Sequence, residues 1–257
     1  MKTSPSLQEN QAILEAALLA GKVMLESGAE TSRVEDTMER IIRYAIGDIG
    51  TFSAYTYVTV NGIFAKLDRV GTQFYRIDRR RYDLNKITKV NQLSRDFAGG
   101  RIGFEEMHAA LQAAEKESMG QKLRHKLIYT ASLSGSIMLI FGGAFDDLPA
   151  AMTAGVVAFL SCLWLTRILK VPFLSECGAA FLGGLAGLCM TSLAGRHLDL
   201  VMVGAVVPLV PGIAITNAIR DMMARHYISG VVGAIEALFI AGALGAGIAG
   251  VYWMFIL

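Results

Sequence analysis

Between Leu127 and Leu257 the chain repeats one pattern five times: a long apolar stretch without a charged residue, then a short polar interruption. The stretches are Leu127–Phe145, Leu148–Thr166, Cys177–Ala194, Leu200–Ile219 and Ala237–Leu257. Each is close to the ~20 residues a helix needs to cross about 30 Å of hydrocarbon. Residues 1–126 follow shorter, amphipathic periods instead. The pattern predicts an α-helical polytopic membrane protein, with a small α/β domain over 1–120 preceding five transmembrane helices over 121–257.

In the first domain Ile13, Leu14, Ala17, Leu18, Gly21, Met24 and Leu25 recur at helical spacing, and Gly28 gives a stop. Ser32-x-x-Glu35 resembles a capping box for a second helix with Val34, Met38, Ile41, Ile42 and Ala45 inward. The segment FSAYTYVTV alternates and is rich in β-branched and aromatic residues. Asn61-Gly62 then signals a two-residue hairpin, with IFAKLDR and TQFYRI as second and third strands. Two amphipathic helices close the domain, one with Leu84, Ile87, Val90, Leu93 and Phe97, the other with Phe104, Met107, Leu111 and Ala114.

Composition alone blurs this division, because a mean hydropathy of +0.46 and 18% charged residues average two unlike regions. Of the 24 basic and 22 acidic residues, 19 and 16 lie in residues 1–126, leaving 5 and 6 in residues 127–257. Lys122, Arg124, Lys126, Arg167, Lys170, Arg220 and Arg225 flank the apolar stretches on one side, while only Arg196 stands on the other, beside Asp146, Asp147 and Asp199. By the positive-inside rule the amino terminus is cytoplasmic and the carboxyl terminus outside, the split that an odd number of spans requires. The segment MKTSPSLQENQAILEA lacks a continuous apolar stretch followed by a small-residue cleavage site, so the first domain is expected to stay in the cytoplasm of a multi-pass protein of the cell inner membrane. The net charge of +2 gives no reason to expect a nucleic-acid partner. Cys162, Cys177 and Cys189 are odd in number and lack metal-ligand spacing, so they read as packing residues.

The candidate chemistry lies in the fourth stretch. Pro208, Pro211 and Gly212 fall near its middle, where each proline removes a backbone donor and clashes with the preceding turn. Interrupted helices at that depth are places where transporters bind solutes. Thr216 and Asn217, about one turn on, are candidates to hydrogen-bond a small polar solute. Glu176 opens the third stretch, Arg220 and Asp221 follow the fourth, and Glu236 precedes the fifth. An ionisable group at such depth must pair or face water, which suits ion pairing or proton coupling. Gly183-x-x-x-Gly187 and Gly242-x-x-x-Ala246-x-x-x-Gly250 allow close helix approach. In the first domain the run from Arg76 through Arg81 is suited to anionic headgroups or to a solvated loop. The elbow Gly28-Ala29-Glu30-Thr31 with Arg33 suits either a helix turn or a contact with the membrane domain. No P-loop, GxGxxG or HExxH occurs, and no nucleophile–base pair or metal-ligand set is apparent. Neither an enzyme nor a cofactor is expected.

Ser27-Gly28-Ala29-Glu30-Thr31-x-Arg33, Val207-Pro208-Leu209-Val210-Pro211-Gly212 and Asn217-Ala218-Ile219-Arg220-Asp221, in a chain of this layout, resemble the bacterial threonine/serine exporter family. The resemblance covers nearly the whole chain, and its Pro-Gly segment is the most specific part. It implies export of small hydrophilic metabolites, chiefly threonine and serine, driven by the proton-motive force, with dicarboxylates for some split members. Long members continue into a second set of spans, so this chain resembles the first half of a two-component transporter. A second small membrane subunit or a homo-oligomer is therefore the expected partner, besides the lipid bilayer and a small polar solute. Where the family pattern suggests an acid before the Ser-Gly of the last span, this chain has Arg225-His226-Tyr227-Ile228-Ser229-Gly230. The alternative reading is a membrane-anchored binding or regulatory subunit whose cytoplasmic domain carries the activity.

Overall fold

The computed structural model describes residues 6–47, 54–67, 70–78, 80–117, 122–171 and 173–257. It is mostly helical with one small sheet, and it divides into two compact units, 1–119 with 216–234 and 120–215 with 235–257.

In the first unit, α1 (Leu7–Glu26) opens on a capping box in which Ser6 Oγ accepts from the Glu9 amide and the Glu9 carboxylate accepts from the Ser6 amide. Two donors that the helix leaves unpaired are thereby satisfied. All seven apolar positions expected to face inward on α1 are buried. Helix α2 (Thr31–Ile46) buries Val34, Met38, Ile41 and Ile42 against them. The capping box expected at Ser32 and Glu35 does not form. The helix begins two residues earlier, with Glu30 as N-cap, so Ser32 already lies inside the first turn, and Glu35 accepts the Val58 amide at 2.8 Å.

Strands β1 (Ala54–Thr59), β2 (Gly62–Leu67) and β3 (Gly71–Arg76) form an antiparallel meander. The first hairpin is present but its loop is Val60-Asn61, one residue earlier than expected, because Gly62 pairs with Thr59 as the first residue of β2. Phe74 explains the glycine: a Cβ on residue 62 would lie 2.6 Å from the Phe74 ring. Val58, Ile63, Ala65 and Leu67 face the helices and are buried. The strand ends expected at Phe52, Ser53, Asp68 and Arg69, and Arg79 of the basic run, lie outside the described residues. Helices α3 (Leu84–Ala98) and α4 (Phe104–Lys116) complete one continuous core through Ile87, Val90, Phe97, Met107, Leu111 and Ala114. Asp83 caps α3 by accepting from the Asn85 and Lys86 amides, and Leu84, in the first turn, points to solvent instead of inward.

In the second unit α5 (Leu123–Ile140), α6 (Leu148–Leu169), α7 (Leu174–Ala194) and α8 (Leu198–Val206) pack through small residues. Met138, Ala150, Ala151, Ala154, Val201 and Ala205 form its core. A Cβ on Gly183 would meet Ala158 at 2.6 Å, so α6 and α7 approach as closely as the Gly183/Gly187 spacing suggests. After α8 come a 3-10 turn (Val207–Leu209), α9 (Gly212–Met223) and α10 (Tyr227–Phe255). On α10 two glycines meet α7, Gly247, whose Cβ would strike the Cys177 carbonyl, and Gly250, whose Cβ would lie 3.4 Å from the Phe181 ring, whereas a Cβ on Gly242 would meet no atom of another described element within 4 Å.

Among the described residues three helical segments are long and apolar enough to cross a membrane: Phe145–Leu169, Leu174–Leu193 and Tyr227–Phe255. Leu198–Leu209 with Gly212–Met223, bent by 60°, makes a fourth if the pair is one span. Five were expected. The stretch Leu127–Phe145 is divided in the structure, since α5 starts among Arg124, His125 and Lys126, ends at Ile140, and leaves Phe145 to a separate turn.

Candidate functional site

The break predicted in the fourth stretch is present. Pro208 sits in the 3-10 turn, Val210 is extended as a residue before proline must be, and Gly212 opens α9. The chain turns tightly around Pro211, with the Gly212 amide donating to the Val210 carbonyl at 2.8 Å and the Ile215 amide to the Pro211 carbonyl at 3.0 Å. Apart from its chain neighbours and its own helix, no atom of the described residues lies within 4 Å of the place a Cβ on Gly212 would take.

The far end of α9 is held within the first unit by the elbow between α1 and α2. That elbow is a left-handed helix stop: Gly28 has φ +81°, its amide donates to the Leu25 carbonyl, and the Ala29 amide donates to the Met24 carbonyl. These are the two bonds of a Schellman motif, and glycine is the residue that adopts this φ without strain. The turn points the Gly28 carbonyl outward, where the Asn217 amide group donates to it at 2.8 Å. Three residues on, the amino end of α2 has no side-chain cap of its own. Asp221 supplies one: its Oδ1 accepts from the Thr31 amide at 2.9 Å and from the Thr31 hydroxyl at 2.7 Å. A carboxylate there meets unpaired N–H groups and the positive end of the helix dipole. Both residues are almost fully buried.

A ring of charge surrounds this contact. Glu30 pairs with Arg33 at 3.1 Å and with Arg220 at 3.0 Å. Beyond it the Glu35 carboxylate lies 3.5 Å from His226. Burial pushes the Glu35 carboxyl above its ordinary range, Asp36 and Glu39 push the same way, and the Val58 amide and His226 oppose them. Helix α9 ends in a second Schellman motif, with Arg225 at φ +69° in the glycine position, the Arg225 amide donating to Met222 and the His226 amide to Asp221.

The candidates from sequence are thus divided by the fold. Asn217, Arg220 and Asp221 come together with Gly28, Glu30 and Thr31, and Arg220 pairs with Glu30 rather than with its neighbour Asp221. His226 is half-buried beside Glu35. Glu176 lies in the first turn of α7 with its Oε2 buried and without a hydrogen-bond partner among the described residues. Glu236 is exposed on α10.

One cluster went unrecognised in the sequence. The fully buried Asp147 accepts from the Arg196 amide at 2.5 Å, the His197 amide at 3.3 Å and the Ala144 amide at 3.3 Å, and its Oδ2 lies 2.8 Å from His197 Nδ1. Arg196 in turn pairs with Asp146 at 2.9 Å. Asp147 thereby ties the turn before α6 to the turn before α8. The Asp-Asp and Arg-His pairs were visible, but a separation of about 50 residues hid their meeting. No group of three or more His, Cys, Asp or Glu converges as a metal site among the described residues.

Long apolar helices, a proline-broken span and small-residue packing define a multi-pass membrane protein. The chain belongs to the ThrE family, described as "Putative threonine/serine exporter", whose model matches residues 15–254. That is a family of transporters and not of enzymes. No curated protein and no solved structure matches the chain.

Proposed function

We propose that the chain is one subunit of an inner-membrane exporter that moves small hydrophilic metabolites of the threonine/serine type, or dicarboxylates, at the expense of the proton-motive force. The observation that carries this reading is the break at Pro208–Gly212. Backbone groups freed from a helix in hydrocarbon are tolerated only where protein or a polar cavity receives them, so a break at this place suits contact with a polar solute. Pro208, Pro211 and Gly212 shape the site, and Thr216, one turn along α9, extends it. Glu176 and Glu236 are the acids for proton coupling, since both lie on apolar helices where a charge must be answered.

Asn217 takes a different role here from direct solute contact, and Arg220 and Asp221 serve pairing and capping in place of proton coupling. Their partners on the elbow make them the grip by which residues 1–119 hold the end of the broken helix. In this reading α5 is a fifth span, the basic loops place the amino terminus in the cytoplasm and the carboxyl terminus outside, and a second small membrane subunit or another copy completes the pathway.

The test is threonine efflux from cells loaded with a threonine-containing dipeptide. Pro211→Ala, Glu176→Gln and Glu236→Gln, at normal membrane abundance, are expected to retain internal threonine several-fold longer than the parent. Efflux unchanged in all three overturns the exporter reading and favours a binding or regulatory subunit.

A further inference from the structure

The three-stranded sheet is covered on one face only. Pairing fixes which side chains share the other: Tyr57, Phe64 and Phe74 lie directly across from one another, Tyr55, Lys66 and Thr72 form the next row, and Arg76 stands opposite Gly62. The first row is a continuous aromatic ladder, with ring centroids 6.4 Å apart between Tyr57 and Phe64 and 4.6 Å between Phe64 and Phe74. Tyr55, Tyr57, Phe64 and Phe74 are 64%, 49%, 41% and 51% exposed. The helices α1 and α2 cover the opposite face, which carries Val58, Ile63, Ala65 and Leu67. Four large aromatic side chains left open on one sheet face mark an interaction surface.

Its charge says what kind. The described strand residues of this face include two cations, Lys66 and Arg76, and no acid. Arg76 is paired with Asp78 just beyond β3, whereas Lys66 has no ion-pair partner among the described residues. Exposed Arg80 and Arg81 follow in the chain. A second copy docking by two-fold symmetry sets like charges against each other, because an isologous contact presents the same patch twice. Single-stranded nucleic acid stacks on such ladders, but its binders line a long basic groove, and the net charge of this chain is only +2. An anionic bilayer meets both features at once: aromatic rings settle at the headgroup level and basic side chains gain from the surface potential. The same chain carries helices able to cross a membrane, which keeps a bilayer always close at hand.

We propose that this outer face, Tyr55, Tyr57, Phe64 and Phe74 with Lys66 and Arg76, is a docking surface for an anionic lipid membrane. The inference stands apart from the transport reading, since it concerns the sheet and not the broken span. The experiment uses the full chain in nanodiscs with Cys162, Cys177 and Cys189 replaced by serine and a spin label on Thr72→Cys, a position of this face remote from the core. Collisions with dissolved oxygen and with a water-soluble nickel chelate report immersion. In discs of phosphatidylcholine with phosphatidylglycerol, the ratio of oxygen to nickel collisions is expected to rise several-fold over discs of phosphatidylcholine alone. A Lys66→Glu/Arg76→Glu variant is expected to abolish the rise while keeping its helical circular dichroism. A label equally open to the nickel chelate in both discs overturns the proposal. So does shielding that is independent of lipid charge and persists in detergent, which assigns the face to a second copy, and so does shielding produced only by an added single-stranded oligonucleotide.

Discussion

Thr31 gives both its backbone amide and its hydroxyl to a single oxygen of Asp221, at 2.9 and 2.7 Å, across 190 residues of sequence. The carboxylate stands where an N-cap side chain ordinarily would. Removing it leaves two buried donors without a partner. Asp221→Ala is therefore expected to destabilise the first unit by about 2–4 kcal/mol, the sum of a lost cap and an unsatisfied buried donor. Asp221→Asn, which retains an acceptor oxygen, is expected to lose less. Hydrogen exchange at the Thr31 amide, together with thermal unfolding in detergent, checks both values. Exchange unchanged in Asp221→Ala contradicts the capping role.

Gly28 is constrained twice, by its φ of +81° and by the Tyr82 ring, which a Cβ at this position would strike. Gly28→Ala is expected to cost roughly 1–2 kcal/mol for backbone strain alone, with a further loss from displacing the ring. Adding Tyr82→Ala is expected to recover only the second part. The unfolding midpoints of the single and double variants separate the two contributions.

Arg225 occupies the corresponding position at the end of α9 with φ +69°, is exposed, and pays the strain that Gly28 avoids. Arg225→Gly is expected to stabilise the first unit by about 1 kcal/mol, the gain being offset in part by the greater freedom of glycine in the unfolded chain. A lower unfolding temperature for this variant contradicts the geometry described.

Much of this architecture is legible from residue spacing. The inward faces of α1 and α2, the three strands and the proline break all follow from periods of 3.6 and 2 and from the missing proline donor. Helix ends were less legible, because they depend on distant partners. Ser32-x-x-Glu35 has the spacing of a capping box, but Asp221 satisfies the amino end of α2 and Glu35 serves the sheet. The box that does form, at Ser6 and Glu9, has the same Ser-x-x-Glu spacing. The span count differed for a related reason: Leu127–Phe145 reads as unbroken apolar sequence, yet Gly142, at φ +96°, lies in the turn that ends α5 after Ile140.

Glu35 gives the first unit a pH dependence. Burial raises its carboxyl above the ordinary value of 4.5, against the opposing Val58 amide and His226 and with Asp36 and Glu39 nearby. The folded state therefore holds the proton more tightly than the unfolded chain. The stability this supplies is complete below about pH 4.5 and is lost as pH rises through the raised value. Glu35→Gln is expected to flatten that fall, read as the slope of unfolding temperature against pH. A slope equal to that of the parent contradicts the assignment.

Asp147 answers three backbone amides and one imidazole. Asp147→Ala is expected to cost about 2–4 kcal/mol, since several buried donors lose their acceptor together. His197→Ala removes only one contact and is expected to cost about 1 kcal/mol. Protease cleavage near residues 144–147 and 195–197 is expected to increase with Asp147→Ala. Cleavage as slow as in the parent contradicts the role described.

The capping of α2 by Asp221 also imposes an order on biosynthesis. A ribosome adding about 5–20 residues per second delivers Asp221 roughly 10–40 s after Thr31, 190 positions earlier. Throughout that interval the start of α2 has only water to satisfy it, and the long hydrophobic portion of the chain is still being made. The nascent first unit thus carries an open end that closes only once the late segment has been made.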